Sequence, residues 1–264
     1  MTPEKIKEII SEKIKEIKKL GKKINTGFDH DTIHKFRVAV KSLRSFLRLL
    51  RMSSEDQKPK LPGKFKRLYH IVGAIRDAQL ELDKLSQENI DLPVYTDKLH
   101  KDIKRQKAEW ERRYDEKVFR KMKKRLANDD YETISPDALE AFYHAKVTGM
   151  QKLSKARPAT SAHVHGIRKQ AKDILYITTL AKKEWKPAHK KTKNIPPDQL
   201  DQLATTIGDY NDERIHVEHL MSFSSPTMAF DEKNMIADIC KKEGAKLKTE
   251  KKQILDMVKG MGAK

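Results

Sequence analysis

Residues 33–43 read IHKFRVAVKSL, and residues 164–174 read VHGIRKQAKDI. His34, Arg37 and Lys41 of the first stretch recur as His165, Arg168 and Lys172 of the second, with identical spacing. A helix carries residues three and four apart on one face, so each trio makes a stripe. A second pair of stretches follows, LYHIVGAIRDAQLELDKL (68–85) and LATTIGDYNDERIHVEHL (203–220). There Leu68, Gly73, Asp77 and Leu85 match Leu203, Gly208, Asp212 and Leu220. Two separate motifs recurring in the same order mark an internal duplication.

The surrounding chain is helical in pattern. Ile6, Ile9, Ile10, Ile17 and Leu20 share one face of a first helix that starts at Thr2-Pro3-Glu4, with Gly21 expected to end or loosen it. Further helices are predicted over about 32–51, behind Asp29 and Asp31 as caps, over 64–87, and as one long helix over 95–126. After the interruption at Asn128-Asp129-Asp130, Ser135-Pro136-Asp137 restarts the pattern, and helices follow at about 136–154, 162–184, 198–221 and 231–259. The proline-containing breaks fall at Pro158, at Pro187 with Pro196-Pro197, and at Pro226. No stretch alternates with period two for long enough to make a sheet. The expected fold is all-α, with four helices in residues 1–130 and four in residues 131–264.

The stripe in the first half is long. His34, Arg37, Lys41, Arg44, Arg48 and Arg51 fall within roughly a third of a helical turn, while Phe36, Leu43, Phe46, Leu47 and Leu50 gather opposite and face the core. Most runs of charge are merely solvated faces. Such faces mix signs, however, because Glu–Lys pairs stabilise a helix and like-charge neighbours destabilise it. No acid occurs from Thr32 through Ser54. A stripe of one sign is explained by an anion lying along it. In the second half the stripe is His165, Arg168, Lys169 and Lys172, and Leu175 and Thr179 stand where Arg44 and Arg48 would be. Arginine forks and lysine point charges suit phosphate oxygens. Beside such a polyanion an imidazolium is favoured, so His34 and His165 are candidate pH-sensitive donors. Gly73 and Gly208 each cost about 1 kcal/mol in a helix interior relative to alanine, which points to close helix–helix approach or to room for a ligand near the site. Asp77 and Asp212, one turn on, are placed to orient a basic side chain of the neighbouring helix.

Composition agrees with an anionic partner. The chain of 264 residues carries 57 Lys and Arg against 38 Asp and Glu, a formal charge of +19. The single cysteine, Cys240, excludes an intramolecular disulfide and is expected to be a small buried hydrophobe. The charged N-terminal stretch lacks the apolar core of a signal peptide, and no run is apolar enough to span a membrane. A cytoplasmic location follows as an expectation, with no membrane partner.

These motifs resemble those of the CHAD family, helical domains named for their histidines. The family pattern is H-x-x-R-x-x-x-K-x-x-R on one helix and L-G-x-x-R-D on the next, in two copies. His34, Arg37, Lys41 and Arg44 match the first motif, and Gly73, Arg76 and Asp77 the second. In the other half His165, Arg168, Lys172, Gly208 and Asp212 match, while Leu175 and Asn211 depart from the pattern. The resemblance implies two four-helix bundles related by a pseudo-twofold axis, with the motif helices lining a central basic channel. It also implies inorganic polyphosphate as ligand and association with polyphosphate granules. The expected binding residues are His34, Arg37, Lys41, Arg44, Arg48, His165, Arg168, Lys169 and Lys172, supported by Arg76, Asp77 and Asp212.

Catalysis finds no support. His30-Asp31 matches the metal-binding pair of HD-type phosphohydrolases, but no further His-Asp cluster completes such a site, and Asp is a natural cap there. Some CHAD domains are fused to a triphosphate tunnel enzyme with an E-x-E-x-K signature, which Glu81-Leu82-Asp83-Lys84 does not match. There is no P-loop, no zinc spacing and no nucleophile with a base, so neither a cofactor nor a metal is expected. The rival reading is a nucleic-acid-binding protein using the same helices. Its weakness is the aromatic content of 6%, mostly at core-like positions, which leaves few platforms for base stacking. A basic helix entering a duplex groove stays open, as does a scaffold docking acidic proteins.

Overall fold

In the computed structural model, which describes residues 1–54, 56–181 and 195–261, the protein is all-helical. Among the described residues there are nine helices and no strand: α1 (Pro3–Gly27), α2 (His30–Ser53), α3 (Gly63–Gln87), α4 (Pro93–Arg113), α5 (Glu116–Ala127), α6 (Pro136–Ser154), α7 (Ser161–Leu180), α8 (Pro197–Ser222) and α9 (Phe230–Gly260). They divide into two compact units, Met1–Ser135 and Pro136–Lys264. No helix among the described residues is long and apolar enough to cross a membrane.

Local chemistry sets most helix ends. The Thr2 side chain accepts from the Lys5 amide at α1, and Asp29 Oδ1 accepts from the Thr32 amide, 2.8 Å away, at α2. Proline opens α4 and α8, where its missing N–H costs nothing. Thr160 and His163 close a reciprocal cap at the start of α7.

Two expectations are corrected in the first unit. Helix α1 does not stop at Gly21 but runs on to Gly27, and Phe28 then takes a left-handed φ of 54°. Gly21 is buried instead, with the rings of Phe119 and Phe36 closing over the space where a side chain would stand. The long helix expected over 95–126 is two helices. Tyr114 is extended, its ring stacks on Trp110 at 5.3 Å, and Asp115 caps the restart by accepting from the Lys117 amide. The first unit therefore holds five helices rather than four.

In that unit α1 packs on α2 and α5, α2 on α3, and α3 on α4. The centre is aromatic: Phe36 lies edge-on to Trp110 at 6.0 Å and beside Phe65, and Phe65 meets Phe119 at 5.9 Å. All four rings are essentially inaccessible to solvent. The apolar face of α2 read from the sequence is the buried one, since Phe36, Leu43, Phe46, Leu47 and Leu50 all lie in the core.

In the second unit α6 packs on α7, α7 on α8, α8 on α9, and α9 returns to α6. Helix α7 ends at Leu180; the expected continuation to 184 and the break at Pro187 lie, from residue 182 to 194, outside the described residues. Cys240 is half-buried rather than enclosed, 4.0 Å from the Val217 carbonyl, and burial raises its thiol pKa.

Candidate polyanion site

In each unit the helix bearing the histidine-led stripe packs against the helix bearing the mid-helix glycine, α2 against α3 and α7 against α8. On α2, His34, Arg44 and Arg51 are exposed, and Arg37, Lys41 and Arg48 are half-buried. The stripe thus reaches solvent along its length, and Arg37 and Arg44 also lie against α3.

Arg37 is the most firmly placed of these groups. Its guanidinium lies over Gly73, where any Cβ would collide with Nη1. Its Nη2 stands 3.7 Å from Asp77 Oδ1, and its Cζ lies 5.4 Å from the centre of the Tyr69 ring. Tyr69, Gly73 and Asp77 are spaced by four on α3 and so form one face, on which the arginine rests. The helix tolerates glycine here because the space is filled by a guanidinium from the next helix.

Further along α2 the cations crowd one another. Arg44 also approaches Tyr69, at 5.7 Å, and Arg48 donates to Ser45 Oγ at 2.9 Å, whose hydroxyl donates to the Lys41 carbonyl. Arg51 Nε donates to the Leu47 carbonyl. Burial, followed by the charges of Arg48 and Arg44, pushes the Arg51 pKa down. Like charges held this close cost free energy that a bound polyanion removes.

The pKa of His34 is lowered from its ordinary value. Partial desolvation lowers its pKa first, and the charges of Arg76 and Lys41 add to this; Asp31 opposes them and Arg37 reinforces them. Arg76, on α3, therefore acts on this histidine as a like-charge neighbour.

The second unit repeats the core of this geometry. Arg168 lies against Gly208, where a Cβ would stand 3.1 Å from Nη2. Its Nε donates to the Ala204 carbonyl at 3.2 Å. Lys172 pairs with Asp201 at 3.1 Å, and His165 and Lys169 are exposed on α7. Asp212 is exposed one turn beyond Gly208 on α8. The repeat register aligns Ala204 with Tyr69 and Asp201 with Lys66. Sequence reasoning missed Tyr69 and Asp201. Both stand on the glycine face of their helix, Tyr69 four residues before Gly73 and Asp201 seven before Gly208, so helical spacing alone was the available signal.

His30 and Asp31 take part in ordinary surface pairs: His30 Nδ1 lies 3.1 Å from Asp83 Oδ2, and Asp31 binds Lys35. Among the described residues no group of three or more His, Cys, Asp or Glu is disposed to hold a metal.

Comparison with known proteins identifies the family and the fold. The family model for the CHAD domain matches residues 8–221. The crystal structure of the CHAD domain from the plant Ricinus communis superposes with a TM-score of 0.77 at 15% identity, covering 100% of this chain and 92% of that one. No curated protein sequence matches the chain significantly. The chain belongs to the CHAD domain family, whose members are in general non-catalytic binding domains linked to polyphosphate.

Proposed function

We propose that the protein binds inorganic polyphosphate without turning it over, through His34, Arg37, Lys41, Arg44 and Arg48 on α2 and His165, Arg168, Lys169 and Lys172 on α7. One observation carries the reading. An arginine of each stripe helix is seated over a glycine of the next helix, on faces otherwise rich in cations, and this happens in both units. Helix α2 carries no acid after Asp31, so nothing within it neutralises the row. A flexible chain of phosphates offers closely spaced oxygens to such a row, and arginine can take them two at a time. Association with intracellular polyphosphate stores is the corresponding location.

The test is competition at matched charge and salt between long-chain polyphosphate, short oligophosphates, double-stranded DNA and RNA. Polyphosphate is expected to win, with affinity falling as salt rises because counterions are released on binding. The triple change of Arg37, Lys41 and Arg44 to Gln should abolish most binding and leave the melting temperature unchanged or higher. DNA binding as tight as polyphosphate at physiological salt would turn the reading toward nucleic acid. Unfolding of the triple variant would make these side chains part of the scaffold.

A further inference from the structure

Arg37 and Arg44 are seven residues apart, two turns of α2, which is about 10 Å along the axis. Their guanidinium carbons nevertheless lie 5.4 and 5.7 Å from the centre of one ring, that of Tyr69 on α3. Two like charges left to themselves on an exposed face move apart into water. Here the negative faces of the ring draw both inward, an attraction of the cation–π kind. A guanidinium resting on a ring uses its flat face and keeps its edge N–H groups for oxygen acceptors.

At the corresponding positions the second unit has neither the ring nor the second arginine. Ala204 occupies the position of Tyr69 and Leu175 that of Arg44, and Arg168 spends its Nε on the Ala204 carbonyl. Tyr69 is half-buried and is not among the enclosed side chains of the core.

We propose that Tyr69 is a positioning residue: its ring gathers Arg37 and Arg44 into a paired phosphate clamp that the first unit has and the second does not. The inference rests on the polyphosphate reading and adds to it the residue that organises the arginines. Immobilising a long side chain on binding is costly, and a clamp already assembled avoids part of that loss.

The experiment titrates the full chain with long-chain polyphosphate in five forms: wild type, Tyr69→Phe, Tyr69→Leu, Arg44→Gln and the double variant Tyr69→Leu with Arg44→Gln. Tyr69→Phe keeps the ring and should bind within about twofold of wild type, whereas Tyr69→Leu should bind roughly fivefold more weakly. In the Arg44→Gln background the effect of Tyr69→Leu should shrink, because one of the two groups it holds is gone. Side-chain N–H resonances of Arg37 and Arg44 should carry a ring-current shift in the wild type and the Phe variant and lose it in the Leu variant. Wild-type-like binding by Tyr69→Leu, equal losses for Phe and Leu, or strict additivity in the double variant would each overturn the role of Tyr69. A wild-type chain that does not bind polyphosphate at all would sink the functional reading, and the clamp with it.

Discussion

Gly73 and His34 are the residues whose behaviour follows most directly from their surroundings. A methyl group at Gly73 meets only the far end of the Arg37 side chain, which is flexible and can swing away. Replacing a helix-interior glycine by alanine favours the helix by about 1 kcal/mol. Gly73→Ala should therefore leave thermal stability equal or higher while polyphosphate affinity falls, because Arg37 is displaced from its seat. A loss of stability with affinity intact, read by melting and titration on the same samples, would assign the glycine to packing alone. His34 has a folded-state pKa below its ordinary value of 6.5, through desolvation and the charges of Arg76, Lys41 and Arg37. The unfolded chain then takes up the proton more readily than the folded one. The stability due to this group is full above the ordinary value and is lost as pH falls through it toward the folded pKa. Binding runs the other way. A polyanion beside the ring favours imidazolium, so complex formation takes up a proton and affinity should rise as pH is lowered through that same window. Titration at a series of pH values should show this rise in the wild type and a reduced one in His34→Gln.

At the scale of the element, the break between α4 and α5 is the feature that builds the first unit. Trp110, Tyr114 and Val118 recur every fourth residue, which is why periodicity alone reads one helix across 95–126. The tertiary core overrides it. Tyr114 stacks its ring on Trp110 and leaves the helical conformation, and Asp115 supplies the cap for α5. The turn brings α5 back against α1, with Lys18 of α1 paired to Glu116 at 2.7 Å and Phe119 inserted beside Gly21 and Phe65. Phe119 is the anchor of that short helix. Phe119→Ala should cost about 3–5 kcal/mol, the range for emptying a buried aromatic site, and amide exchange should show α5 opening first. A melting temperature unchanged by this substitution would mean that α5 is held by its polar contacts instead.

For the whole molecule, both units seat an arginine over a glycine, but the charges around the two seats differ. The stripe of the first unit has six basic or histidine positions on α2, and its α3 adds Tyr69 and has Lys66 at the register position where the second unit has Asp201. In the second unit Asp201 already pairs with Lys172, so part of that stripe is neutralised before any ligand arrives. Removing charge at Arg37, Lys41, Arg44 and Arg48 should therefore weaken polyphosphate binding more than removing it at Arg168, Lys169 and Lys172. Charge-assisted hydrogen bonds contribute about 1.5–3 kcal/mol each, so a difference of one contact is measurable by titration. An equal or larger loss from the second set would place the stronger contacts on α7.

The helical class was legible in the sequence, as were the recurring motifs and the basic stripe, because each is written in local terms. Amphipathic spacing, caps such as Thr2 and Asp29, and the repeated His-Arg-Lys and Gly-Asp patterns need no knowledge of what packs where. Periodicity also told which face of α2 is buried. It did not tell which residues of α3 that helix would meet, because the rotation of one helix against another is decided by the packing of both. The seat of Arg37 on Gly73, the ring of Tyr69 shared by two arginines, the capture of Lys172 by Asp201 and the break at Tyr114 are all decided at that level. Each depends on contacts between residues distant in sequence or on an aromatic core that outweighs local helical preference.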